Sequence, residues 1–201
     1  LQKYKFEQFL ERYNNDVPEM KLFLVLEELP KLSEEGPWLA GGAIRRTLIG
    51  DPLSSDYDFF FKSPEQLNEF RKKIEASKGR KTASTEHHET YIVEGVEGNY
   101  IVQLIKIGFY KNVESLLDSF DFTISQFAYD GESLYCGGYS LWDLARRRLA
   151  LHKLTYGVAT TRRLLKYTNQ GFTACTGVIQ SILTAVIEQP NTVHAEIEYV
   201  D

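Results

Sequence analysis

Cysteine is nearly absent: Cys136 and Cys175 are the only two in 201 residues. Two thiols so spaced match no zinc-ligand pattern and build no disulfide framework, so the expected setting is reducing and cytoplasmic. Long hydrophobic runs are missing as well. The most apolar late stretch, "TGVIQSILTAVIEQ", is too short and too polar to span a bilayer, and no signal peptide is visible. Basic charge is not in excess either. Lys and Arg total 23 against 28 Asp and Glu, a net charge of −5. That balance excludes coating of nucleic acid by bulk charge and leaves room for a local basic patch. Internal repeats and low-complexity segments are also lacking. With 43% hydrophobic and 25% charged residues, the chain has the composition of a globular protein that can bury a core without disulfides or a structural metal.

Periodicity divides the chain into three parts. Apolar residues at helical spacing in "FEQFLERYNN" and "PEMKLFLVLEELPKL" predict an N-terminal helical segment, residues 1–35, packed on a sheet-bearing head. That head, residues 36–138, alternates between strand-like and helical pieces. It begins with the strand "PWLA", the short helix "AIRRTLIG" closed by Gly50 and the turn "DPLSS". Then come the strand "DYDFFF" and the helix "PEQLNEFRKKIEA" with Ser63 as its N-cap. Further strand-like pieces are "TASTEHHETYIV", "YIVQLIKIGFY", "FDFTISQFAYDG" and "SLYCGG", with a short helix at "NVESLLDS". Beyond Gly138, "YSLWDLARRRLALHKL", "TTRRLLKYTNQGF" and "TGVIQSILTAVIEQ" read as helices. They predict a helical domain over residues 139–201, expected to be followed by more chain. The fold class is α+β: a mixed-sheet head flanked by helices, then a small helical domain.

The segment "WLAGGAIRRTLIGDPLSSDYDFFF" carries the chemistry. On a strand, residues i and i+2 share a face roughly 7 Å apart, so Asp56 and Asp58 converge while Tyr57 points away. Two carboxylates so placed repel unless a cation lies between them. Hard oxygen ligands suit Mg²⁺, which takes a few carboxylates plus substrate phosphates, and a two-metal arrangement serves phosphoryl or nucleotidyl transfer. Gly41 and Gly42 at the strand-to-helix junction allow close approach of a ligand. The helix start after them offers free N–H groups and a positive dipole end to a phosphate, and Arg45 and Arg46 add charge one turn in.

Those residues resemble the head of polymerase-β-like nucleotidyltransferases, and more narrowly the bacterial-type (class II) CCA-adding enzymes and poly(A) polymerases. The family pattern is Gly-Gly-x-Val-Arg-Asp, a Leu-Leu-Gly, then Asp-x-Asp. "FDFTISQFAYDGESLYCGGYSLWDL" is similar to its Arg-Arg-Asp-Phe-Thr-x-Asn-Ala motif and the hairpin after it, with weaker echoes in "EHHETYIV" and "RRLLKY". The resemblance spans Trp38 to Tyr167. It implies a two-metal Mg²⁺ site on Asp56 and Asp58 and an NTP, ATP or CTP foremost, over Gly41 and Gly42. It also implies contacts to the nucleoside from Asp121, Arg163 and Lys166, attack of an acceptor hydroxyl on the α-phosphate, and tRNA or another RNA as a candidate partner. Departures accompany it. Arg46 stands where the family has aspartate, Gln103 where an acidic residue is expected, Ser119-Phe120 where Arg-Arg is expected, and Ala159-Thr160 where Glu-Asp is expected. Without that last acidic pair, CCA addition itself is not expected.

Elsewhere the signals are bland. His87 and His88 face opposite ways on a strand and cannot easily share a metal, so both read as surface or core residues. Period-two spacing puts Asp121, Thr123 and Ser125 on one face, bordering a nucleotide or solvent. Helical spacing puts Arg148 and His152 together in a locally basic region with Arg146, Arg147, Lys153 and Arg162, either a phosphate or RNA surface or a solvated face. Two functions stay open: an active nucleotidyltransferase, and a catalytically silent derivative that binds nucleotide, RNA or a protein partner.

Overall fold

A mixed sheet of eight strands runs through the protein, with β3 (Tyr57–Phe60) near its middle. The computed structural model describes residues 1–6, 19–53, 56–77, 79–95 and 98–188, and of residues 19–21 the backbone only. The other strands are β1 (Gln2–Lys5), β2 (Trp38–Ala40), β4 (Arg80–Ser84), β5 (His88–Gly95), β6 (Gly98–Ile105), β7 (Phe127–Tyr129) and β8 (Ser133–Cys136). Their order is β1-β8-β7-β2-β3-β6-β5-β4. Every neighbouring pair is antiparallel except β3 and β6, which run parallel. The helices are α1 (Glu19–Glu27), α2 (Gly42–Ile49), α3 (Pro64–Ala76), α4 (Val113–Leu117), α5 (Ser140–Ala145), α6 (Gly157–Asn169) and α7 (Thr176–Glu188). A small parallel pair, β9 (Arg148–Leu149) and β10 (Thr173–Ala174), lies among the last helices.

Alternation along the central strands separates two apolar layers. Leu39 and Phe59 point into the larger layer with Ile44, Phe61, Phe70 and Ile74. Trp38, Ala40 and Phe60 point the other way, onto Val113, Leu116 and Leu117 of α4. Successive residues of a strand face opposite sides, so a central strand covered on both faces must be apolar at nearly every position, and "FFF" meets that need. Helix α3 starts where expected. Ser63 accepts a hydrogen bond from the Gln66 amide at 3.3 Å, Pro64 occupies the first turn, and Leu67, Phe70 and Ile74 form the buried stripe. Losing the Phe59 or Phe70 ring, 4.9 Å apart by centroids, costs about 3–5 kcal/mol by the usual core-truncation scale.

The α+β class with a mixed sheet flanked by helices is what the sequence predicts, and three local expectations are corrected. Gln2–Lys5 form an edge strand on β8, ahead of the predicted helix "FEQFLERYNN", which otherwise lies largely outside the described residues. The piece "FDFTIS" is no strand. Thr123–Ser125 make a 3₁₀ turn, because the Thr123 amide bonds the Ala150 carbonyl while the Ser125 and Gln126 amides turn back to Phe122 and Thr123. Asp121, Thr123 and Ser125 are therefore buried with Phe122 and Ile124 rather than ranged on a separate face. Finally, "YSLWDLARRRLALHKL" is helical only through Ala145. Arg147 turns to φ 49°, Arg148–Leu149 join β10, and the His152 amide bonds the Asp121 carbonyl at 2.7 Å. Arg148 and His152 share no helix face.

Candidate functional site

Asp58 sits between two partners in register, Ala40 on β2 and Gln103 on β6. Gly41 follows Ala40 with φ 86° and ψ −141°, a backbone region that side chains avoid. A Cβ there would also come within 2.9 Å of Oδ2 of Asp58. Glycine is thus needed twice over, and it brings the carboxylate directly against the start of α2. No side chain caps that helix, and its N-terminal end carries a partial positive charge.

Oδ1 of Asp58 is buried and has no hydrogen-bond partner among the described residues. Burial pushes the Asp58 carboxyl up to about 8, and the charge on Asp56 pushes the same way, against Lys166 and Arg45. Asp56 lies just ahead of β3, and its Oδ2 accepts from Nε2 of Gln103 at 2.6 Å. Oε1 of Gln103 is itself buried without a partner among the described residues. Two crowded carboxylates, one with an orphaned buried oxygen, and a neutral carbonyl oxygen alongside make an oxygen-only donor set. It fits a Mg²⁺ ion that takes its remaining ligands from phosphate and water. No cluster of three or more His, Cys, Asp or Glu capable of holding a metal occurs among the described residues.

The predicted cations take different places. Arg45 is 3% exposed. Its Nη2 donates to Oε1 of Gln170 at 2.9 Å, and its guanidinium lies 4.6 Å from the Tyr167 ring centroid and 5.8 Å from that of Phe172. It thereby joins α2 to the C-terminal helices while its charge still reaches Asp58. Arg46 donates to the Pro52 carbonyl at 3.1 Å. Lys166 is exposed on α6 and close enough to favour the ionised form of Asp58. Asp121 is buried and fully engaged: Oδ1 accepts from the Phe122 amide at 2.9 Å, and Oδ2 from Thr160 at 3.1 Å and Arg163 at 2.8 Å. Burial disfavours the Arg163 charge, but the adjoining Asp121 carboxylate outweighs it and holds the guanidinium above its ordinary pKa.

Gly41, Gly42, Asp56 and Asp58 thus come together, with Arg45 and Lys166 nearby, and Asp121 with Arg163 forms a second cluster beside α6. Sequence reasoning missed Gln170 and Phe172. The available signal was "NQGF": Gly171 adopts φ 84° and turns the chain so that both residues face Arg45. His88 is a buried residue bonded through Nδ1 to Thr85 at 3.1 Å, in line with its bland reading.

A family model described as "Gad2: Gabija anti-defense 2 family protein" matches residues 1–147. The chain belongs to the Gabija anti-defense 2 family. Among curated proteins none matches this Gad2-family chain. Solved structures match it in fold. A CCA-adding enzyme in complex with ATP aligns with a TM-score of 0.65 at 17% identity, over 95% of this chain and 48% of the other. A complex of CCA-adding enzyme with CTP aligns at 0.64 and 16%, over 94% and 46%. The Thermotoga maritima CCA-adding enzyme complexed with tRNA aligns at 0.61 and 17%, over 94% and 47%. The Gad2-family chain therefore has a nucleotidyltransferase-like fold and spans about half the length of these structures. No helix among its described residues is long and apolar enough to cross a membrane.

Proposed function

We propose that this Gad2-family protein is a Mg²⁺-dependent nucleotidyltransferase. The observation that carries the reading is the buried, unpartnered Oδ1 of Asp58, set beside Asp56 and against the Gly41–Gly42 turn. In the proposed reaction an acceptor hydroxyl oxygen attacks the α-phosphorus of an NTP. The bond to the bridging oxygen breaks, pyrophosphate leaves and the hydroxyl proton passes to solvent. Mg²⁺ held by Asp56 and Asp58 would supply charge neutralisation for the phosphates and the developing oxyanion. The start of α2 seats phosphate through its free amides. Lys166 adds positive charge from the α6 side, Arg163 faces the nucleoside, and Arg45 holds α2 against α6.

The nucleotide is an NTP, with ATP and CTP first because structurally similar enzymes are solved with each. The acceptor is an RNA 3′ end, a small molecule or a protein, and the family description points to the Gabija defence as what the activity opposes. A reaction that consumes NTP suits the cytoplasm, the compartment we assign to it. CCA addition is not assigned, since Thr160, at the position of an expected acid, is bonded to Asp121.

One observation favours a second reading, a silent protein that binds nucleotide without transfer: Gln103 fills the position facing Asp58 with a neutral amide and engages Asp56. Labelled NTPs with Mg²⁺, total RNA and lysate separate the two, beside the double variant Asp56→Ala, Asp58→Ala. Label transferred by the wild type and lost in the variant is the expected result. NTP binding by calorimetry with no transfer to any acceptor establishes the silent reading instead.

A further inference from the structure

Trp142 lies on the exposed side of α5, and Tyr139 and Arg146 are the residues that flank the helix at its two ends. Tyr139 is 73% exposed and Trp142 58%. The Arg146 guanidinium lies 3.4 Å from the Trp142 ring centroid, a stacked cation–π pair in solvent. The opposite side of α5 is buried through Ser140, Asp143 and Leu144, with Asp143 accepting from Thr123 at 2.7 Å. Holding two aromatic rings in water offsets part of the gain from burial elsewhere, and nothing in the packing of α5 requires them there.

Charge around this face is one-sided. Between Tyr139 and Lys153 the chain carries Arg146, Arg147, Arg148 and Lys153 against the single acid Asp143, which is buried. Arg147 pairs with Asp51, and Lys153 with Asp118. Among the described residues Arg146 and Arg148 form no ion pair, and both are exposed. Along the chain the exposed residues near Trp142 are Gly138, Tyr139, Ala145 and Arg146, none of them a large aliphatic, while Leu141 packs half-buried against the core. An apolar protein interface would need such companions. Flat rings interleaved with uncompensated arginines instead match unstacked bases joined by phosphates.

We infer that Tyr139, Trp142 and Arg146 form a stacking platform for single-stranded nucleic acid. One face of the indole is covered by the Arg146 guanidinium. A base stacks on the outer plane of that guanidinium or on the free indole face, a second base stacks on Tyr139, and Arg146 and Arg148 meet the phosphates. This platform uses neither Asp56 nor Asp58.

The protein has two tryptophans, and the other, Trp38, is fully buried with its indole bonded to the Glu34 carbonyl. Trp38 is shielded from any ligand, so a ligand-dependent change in tryptophan fluorescence reports on Trp142. Titration with a twelve-nucleotide oligo-U is expected to quench it saturably, with affinity falling about tenfold or more as salt rises from low to physiological levels. Oligo-dT in a parallel arm shows whether the sugar matters. By anisotropy of the labelled strand, Trp142→Ala and Arg146→Ala each weaken binding about tenfold, while Trp142→Phe stays close to wild type. The Asp56→Ala, Asp58→Ala variant binds like wild type, so a failed catalytic reading and a failed platform are told apart. Unchanged affinity in both alanine variants, or equal binding of a duplex of the same length, overturns the proposal. So does shielding of Trp142 by rising protein concentration without any response to oligonucleotide, which would mark a protein interface.

Discussion

Gln103 donates from Nε2 to Oδ2 of Asp56 at 2.6 Å from the position that faces Asp58 across the parallel step of β3 and β6. A neutral amide there steadies one carboxylate without adding a third negative charge to a buried site. Gln103→Glu supplies that charge. Without divalent ions the variant is expected to melt several degrees below wild type, because three carboxylates crowd one site. Mg²⁺ should restore the loss and bind more tightly than it does to wild type. Thermal melts with and without Mg²⁺ decide the matter, and a variant indifferent to Mg²⁺ would remove Gln103 from the metal platform.

The Asp58 carboxyl, pushed up to about 8 by burial and by Asp56, ties folding stability to pH. The folded state holds this proton well above the pH at which the unfolded chain releases it. The contribution of this group is therefore fully present at low pH and falls as pH rises toward about 8, by at most about 1.4 kcal/mol per pH unit. Asp58→Asn removes that slope. Between pH 5 and 8 the wild type should lose melting temperature relative to the variant. Mg²⁺ competes with the proton, so its stabilisation of the wild type should grow over the same interval. Parallel curves for the two proteins would contradict the buried placement of Asp58.

Much of this site was legible because local chemistry and the fold agree there. Gly-Gly at a strand end, a short helix closed by Gly50 and an Asp-x-Asp strand are each readable alone, and their spacing leaves few alternatives. Less was legible where tertiary partners override the pattern. "FDFTIS" alternates like a strand, yet Thr123 bonds a carbonyl from residue 150, remote in sequence. "LARRRLAL" has helical composition, yet pairing with β10 and the left-handed Arg147 break it. Arg45 reads in sequence as a free phosphate ligand. Its stacking on Tyr167 and its bond to Gln170 come from 122 or more residues away, and no local pattern announces such a contact.

Gly41 tests the metal platform from the backbone side. An alanine would have to adopt φ 86° and place its Cβ 2.9 Å from Oδ2 of Asp58. Gly41→Ala is expected to cost about 1–3 kcal/mol and to weaken divalent-ion binding by displacing the Asp58 carboxylate. Gly50→Ala is the control. It also has positive φ, at 67°, but nothing lies within 4 Å of its Cβ. It should lose stability while keeping ion affinity, measured by calorimetry on both variants.

The two cysteines offer a chemical check on the fold. Burial pushes the Cys136 thiol up to about 12. Cys175 is exposed, and backbone amides at the start of α7, that of Val178 first, hold its thiol below the ordinary value. A thiol reagent at neutral pH should modify one cysteine quickly in the native protein and both only after denaturation. Mass mapping should place the fast site at Cys175.

Arg163 and Asp121 join the nucleotide question to the core. Their bond at 2.8 Å is backed by Thr160 and by the Phe122 amide, so removing either charge leaves a buried or half-buried group underserved. Arg163 keeps 45% of its side chain exposed while Asp121 keeps 9%, and water screens the pair from one side. A double-mutant cycle of Asp121→Asn and Arg163→Gln is expected to give a coupling of about 1 kcal/mol, with Asp121→Asn the costlier single change. The same variants separate structure from binding. If Arg163 faces the nucleoside, Arg163→Gln weakens NTP affinity beyond what its melting temperature explains, and Asp121→Asn weakens it less by leaving the guanidinium free but unanchored. NTP affinity unchanged in Arg163→Gln would move the nucleoside away from α6 and leave this ion pair a purely structural tie between the 3₁₀ turn and the last helices.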